Sequence, residues 1–258
     1  MMSMEFVFMV VANFVIGSMI GSFLGVVVDR LPEKKTIWKG RSICDSCHKK
    51  LHPLELIPII SYLMQKGRCR NCHAKIPLQV FLIECVSGIS FVGIYLSLGV
   101  FTPLYTLLYV LIVLSLNIVI FFIDLQFGII PDELIILFTI VTLIFLIVTS
   151  PGQILLHVFS AFGAFLLFLF LFLVTKGRGM GFGDVKYVAA IGFFLGFPDI
   201  VVGLYIAFLS GAVVSLLLIL RGKKHLKSTI PFGPFLAIGT LIAYLFADVL
   251  LHIVFVSL

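Results

Sequence analysis

Stretches of about twenty apolar residues recur along this chain, and they leave it little choice of fold. The run LYTLLYVLIVLSLNIVIFF, residues 104–122, contains no charged side chain. Hydrocarbon offers no water to bond an unpaired backbone group, so runs of this length cross a bilayer as helices. Eight spans are predicted, at about 4–28, 77–98, 102–123, 133–149, 153–175, 185–198, 200–220 and 232–256. The sixth is short and contains glycine, which suggests a tilted or re-entrant segment. Hydrophobic residues make up 61% of the sequence and charged residues 12%, against about 45–50% and about 25% in soluble domains. The fold class that follows is an all-α polytopic membrane protein.

The first span lacks a basic segment before it and carries its positive charges after it, so it is expected to be retained, with the N-terminus outside. The basic residues agree with eight spans in that orientation. Eleven of eighteen Lys and Arg lie between Arg30 and Lys75, three are Lys176, Arg178 and Lys186, and four are Arg221, Lys223, Lys224 and Lys227. All fall on the cytoplasmic side, and the turns near 99–102, 150–152 and 199 carry none, as the distribution of Lys and Arg across membranes requires. Both termini are then outside. The net charge of +6 follows from these loops and calls for no nucleic-acid partner. The partner implied directly is the lipid bilayer. Three parts result: a first transmembrane helix (1–30), a cytoplasmic loop (31–76) and a core of about seven helices (77–258).

Gly17, Gly21 and Gly25 recur at four-residue spacing in the first span, the pattern of a face on which another helix packs closely.

Four of the five cysteines form Cys44-x-x-Cys47 and Cys69-x-x-Cys72, with 21 residues between the pairs. Two such knuckles have the spacing of a tetrahedral four-thiolate zinc site. A disulfide pair is the alternative, disfavoured in a reducing cytoplasmic loop. A loop with few large apolar groups needs such a staple to fold. Cys85, in the second span, reads as a small hydrophobe.

Ionisable groups at membrane depth are costly and mark function by default. Asp124 ends the third span, Asp132 precedes the fourth, and Asp184 opens the sixth behind GMGFG. On the predicted topology all three meet the same cytoplasmic boundary. Two carboxylates sharing one proton can activate a water and polarise a carbonyl, the device of aspartic proteases. Gly181 and Gly183, lacking a Cβ, would let backbone lie against an extended substrate. Simpler roles exist for each acid. Asp132 has the position of a helix N-cap, and Asp184 can cap the sixth helix with Lys186 as its partner. Lys186 otherwise extends to the headgroups. Only Asp124, at a helix C-terminus where the dipole disfavours negative charge, lacks such an excuse. Glu84, beside Cys85, either pairs with a polar group or touches substrate.

The runs IDLQFGIIPDEL (123–134) and GMGFGDVK (179–186) resemble the type IV prepilin leader peptidases, membrane aspartic proteases with a GxGD signature. The resemblance runs nearly the whole chain: GSFLGVVVDRLP (21–32), the four loop cysteines, whose loop is zinc-ribbon-like in that family, and PFGPFLAIG (231–239) are similar to further motifs of the family. It implies Asp124 and Asp184 as the catalytic pair and Asp132 as support. Its substrates would be prepilin-like membrane proteins with a short basic leader, cut at the cytoplasmic face of the bacterial inner membrane. Members with the cysteine loop often also methylate the new N-terminus from S-adenosylmethionine. Here Gly25 stands where the family usually has Asn, which bears on methylation more than on cutting. Two readings from other classes compete: a thiol–disulfide oxidoreductase using the CxxC pairs, and a non-enzymatic transporter or scaffold.

Overall fold

A computed structural model describes residues 4–37, 42–44, 46–99, 102–221 and 230–256. The basic residues Lys39, Arg41, Lys223, Lys224 and Lys227 and the turn residues Val100 and Phe101 lie outside them. The described residues form no named strand; the ordered elements are helices. They are α1 (Met4–Arg30), the short α2 (Ile60–Met64), α3 (Leu78–Leu98), α4 (Leu104–Phe127), α5 (Asp132–Thr149), α6 (Ile154–Val174), α7 (Phe182–Leu195), α8 (Asp199–Leu220) and α9 (Gly233–Val256). Each predicted span has its helix, with ends within a few residues. Among the described residues, six of the eight long helices are long and apolar enough to cross a membrane; α7 is not among them, and α9 is apolar over Gly233–Ala247.

The chain divides into two compact units, residues 1–119 and 120–258, with the division falling inside α4. In the first unit α1 packs along α3. A Cβ on Gly17 would lie 2.8 Å from Phe91 Cβ and from the Ser87 carbonyl, and one on Gly21 would lie 2.9 Å from Glu84 Cα. These two glycines bring the helices into backbone contact. Gly25 does not belong to that contact, because a Cβ there meets only Ile83 Cδ1, at 4.0 Å. The expected three-glycine face is therefore a two-glycine one. Gly21→Ala should destabilise the α1–α3 pair by about 1–3 kcal/mol, the usual cost of overpacking, while Gly25→Ala should leave it unchanged. Thermal unfolding of the two variants in detergent checks this.

In the second unit α7 packs against α5, α6, α8 and α9. At 14 residues it is about 21 Å long, too short to cross about 30 Å of hydrocarbon unaided. Its side chains explain the weak sequence signal. Ten of its residues are buried, among them Val185, Tyr187, Val188 and Ile191, so it faces protein on most sides and has no need of a continuous lipid-facing stripe. Phe138 of α5 packs edge-on against both Tyr187 and Phe194. These contacts hold the middle and the C-terminal end of α7 against α5.

Candidate functional site

The C-terminal end of α4 and the residues that precede or open α5, α7 and α9 line a half-open cavity of about 240 Å³. Asp124 and Asp184 both line it, with Ile130, Arg178, Pro231 and Phe232 among the other walls. The two aspartates are 4% and 5% exposed, so two buried acids share the wall of one cavity. The structure thus brings together the two acids that the sequence places sixty residues apart.

Each carboxylate is held by a backbone N–H at a helix start. Asp184 sits in the first turn of α7 and its Oδ2 accepts the Gly181 N–H at 3.0 Å, so it caps its own helix while facing the cavity. Asp124 has no such local partner. Its Oδ2 accepts the N–H of Gly233, 109 residues further on, at 2.9 Å. Gly233 opens α9, whose first turn begins with Phe235 and Leu236 donating to the Phe232 carbonyl. The N-terminal end of a helix, rich in free N–H groups, offsets the unfavourable end of α4 on which Asp124 lies. Sequence reasoning missed this. The signal was a glycine set between Phe232 and Pro234, where a Cβ would come within 2.6 Å of Asp124 Oδ2. Tyr187, fully buried one turn after Asp184, packs edge-on against Phe138 of α5 and is not among the cavity walls.

The structure corrects two expectations. Asp132 does not cap α5: Pro131 holds the N-cap position and no side-chain cap bond forms. Its carboxylate instead forms an ion pair with Lys186. Lys186 is therefore the partner of Asp132 rather than of Asp184, and its ammonium also stands 5.6 Å from the Phe182 ring centroid. The pair ties the first turn of α5 to the first turn of α7 beside the cavity; neither residue is among the cavity walls. Gly181 does line the cavity. Gly183 packs against Ile130, where a Cβ would meet Ile130 Cβ at 3.3 Å.

The remaining predicted residues lie in the first unit. Glu84 is buried, accepts the Ile59 N–H at 2.7 Å and takes a second hydrogen bond from Ser22, so of its two readings the structure supplies the polar pairing. The four cysteines form one cluster, their sulfurs all within 4.8 Å of one another. The two knuckles are built alike. His48 N–H donates to the Cys44 carbonyl and His73 N–H to that of Cys69, while Cys44 N–H bonds the Lys49 carbonyl and Cys69 N–H that of Ala74. His48 and His73 both take a positive φ, 55° and 57°, turning each chain back on itself. All four cysteines are free thiols, and the Cys44–Cys72 separation is 3.7 Å. Four sulfurs placed tetrahedrally about 2.3 Å from a zinc ion would be about 3.8 Å apart, so the set fits that ion. Backbone N–H groups of Cys72 and Asn71 hold the Cys69 thiol down at about 7, and that of Lys49 lowers Cys47. Convergence of all four sulfurs on one point is unlike two independent redox pairs and counts against the oxidoreductase reading.

These features define a polytopic helical membrane protein with two buried acids in one cavity and a four-cysteine loop. Residues 110–216 match the Type IV leader peptidase family, and residues 15–98 match the Bacterial Peptidase A24 N-terminal domain. The prepilin leader peptidase/N-methyltransferase of Bacillus subtilis strain 168 is 30% identical, over 91% of this chain and 93% of the relative. That of Aeromonas salmonicida is 32% identical over 91% and 90%, and that of Pseudomonas aeruginosa 28% identical over 93% and 91%. No solved structure matches the chain. The chain belongs to the type IV leader peptidase family.

Proposed function

We propose that this protein cleaves the short basic leader of prepilin-like membrane proteins at the cytoplasmic face of a bacterial inner membrane, with Asp124 and Asp184 as the catalytic pair. One observation carries the reading: two acids distant in sequence share a small cavity at the helix ends of the second unit. One carboxylate, ionised, takes a proton from water as the oxygen attacks the scissile carbonyl. The other, protonated, donates to the carbonyl oxygen, and the tetrahedral intermediate collapses as the leaving amine is protonated. The substrate's apolar helix lies among the spans and presents its leader junction to the cavity. Walls of low dielectric strengthen each of these interactions. Asp132 and Lys186 support the site by fixing α5 to α7.

The four thiolates of Cys44, Cys47, Cys69 and Cys72 hold zinc in this reading, and the ion supplies a structural crosslink. Methylation of the new N-terminus from S-adenosylmethionine belongs to the proposal through the relatives' names. Gly25, the residue that bears on it, offers no side-chain donor to a methyl donor and leaves room for a Cβ.

The test is incubation of purified protein with a prepilin-type peptide, with and without S-adenosylmethionine, and mass analysis of the products. A cut at the leader junction supports the reading; an intact peptide in a folded preparation overturns it. Gly233→Ala should lower kcat/KM by about 10- to 100-fold, since the new methyl displaces Asp124 and misplacement by about 1 Å costs about that much. Unchanged kinetics would mean that the Gly233–Asp124 contact has no part in the reaction.

A further inference from the structure

Residues 53–64, PLELIPIISYLM, present an apolar face within a basic loop. Leu54, Leu56, Ile57, Ile60, Leu63 and Met64 are all exposed, Met64 at 79%. So many exposed large apolar side chains along one short segment mark a contact with something other than water.

Contacts with α3 show where that face lies. The chain turns sharply at Ile59, where Ile60 N–H bonds the Pro58 carbonyl at 2.6 Å. Ile59 has φ 63° and ψ −54°, a γ-turn geometry that a β-branched residue adopts only under constraint. The constraint is Glu84, whose carboxylate accepts the Ile59 N–H at 2.7 Å. Glu84 lies six residues beyond Leu78, the first residue of the membrane-crossing α3, about 9 Å along its axis. Tyr62 adds a second tie, stacking on Phe81 with ring centroids 5.0 Å apart. The turn is thus pinned alongside the first two turns of a transmembrane helix, and its apolar side chains flank that point.

We propose that Leu54–Met64 is an interfacial element seated at the boundary between headgroups and acyl chains, and that the surrounding cations bind anionic lipid phosphates. Interfacial helices bury their apolar face about 5–10 Å into that boundary, a distance comparable with the rise of α3 from its first residue to Glu84. Charge favours the same partner. Residues 46–77 hold six Lys and Arg, including Lys66, Arg68, Arg70 and Lys75, against one carboxylate, Glu55. An anionic leaflet attracts such a loop, whereas a second copy would set two basic loops against each other. The inference is independent of the peptidase reading, because it uses only the membrane span of α3 and the contacts of the loop.

The test is depth-resolved quenching in the full-length protein. The single tryptophan, Trp38, is replaced by phenylalanine, and Leu63→Trp, Met64→Trp and Lys49→Trp are made separately in that background. Each is reconstituted into vesicles containing phosphatidylglycerol brominated near the headgroup end of the acyl chain. Tryptophan at 63 and at 64 should emit at blue-shifted wavelength and be quenched several-fold more strongly than at 49. Having two positions guards against one variant failing to fold. Red-shifted emission at 63 and 64, open to iodide and untouched by brominated lipid, would place the face in water and overturn the proposal. Blue-shifted emission that brominated lipid does not quench would assign the face to a protein partner, and would overturn it equally.

Discussion

Asparagine in place of Asp184 or Asp124 is expected to abolish leader cleavage while leaving the protein folded and inserted. General acid–base groups contribute about 10²–10⁴-fold each, and the proposed mechanism needs both carboxylates, so either substitution should lower kcat/KM by about 10³-fold or more. The geometry explains why folding survives. Asn at 184 still offers an oxygen to the Gly181 N–H, and Asn at 124 still offers one to Gly233, so both helix starts keep the bonds that position them. Only proton transfer is lost. Because the two acids line one small cavity, the pH profile of kcat/KM in the unaltered protein should show two apparent values that belong to the pair rather than to either residue. Peptide cleavage by each variant, alongside circular dichroism and thermal unfolding, makes the comparison. Normal cutting by either Asn variant removes that acid from the mechanism.

The acids and the cysteines were legible in the sequence for physical reasons that do not need coordinates. A carboxylate at a helix C-terminus next to lipid has no cheap structural explanation, which singled out Asp124. Two CxxC knuckles restrict the geometry of four sulfurs before any folding is considered. What could not be read was anything that joins distant backbone to side chain. The bond from Gly233 N–H to Asp124 spans 109 residues and leaves no periodic trace. Lys186 lies two residues from Asp184, and proximity in sequence suggested that pair. In the first turn of α7, however, its ammonium reaches Asp132 at the start of α5. The spacing of Gly25 matched that of Gly17 and Gly21, but spacing alone does not show that a neighbouring helix has already diverged at that level. Glu84 was recognisable as costly, though its partner is a main-chain N–H at Ile59, which no residue type announces.

Loss of the four-cysteine site should produce the second large effect, and it should fall on the loop. Among the described residues of 31–76, Cys69 alone is buried, so there is no hydrophobic core to hold the two knuckles together. Their regular structure amounts to α2, one short 3₁₀ turn and two isolated bridges, Ile43 with Lys50 and Arg68 with Lys75. Structural zinc in such small units contributes about 10–16 kcal/mol of apparent free energy at neutral pH, far more than those contacts supply. The purified protein should therefore carry zinc near one equivalent. Cys69→Ser should reduce that content severely and open residues 42–76 to protease, while the apolar helices stay resistant in detergent. Acidification should act in the same direction, since the ligand is the thiolate and falling pH protonates it; restoring neutral pH with zinc should restore protection. Metal analysis and limited proteolysis read both effects. A metal-free protein whose loop resists protease as well as the zinc-loaded form does would show that the knuckles are held by contacts other than a shared ion.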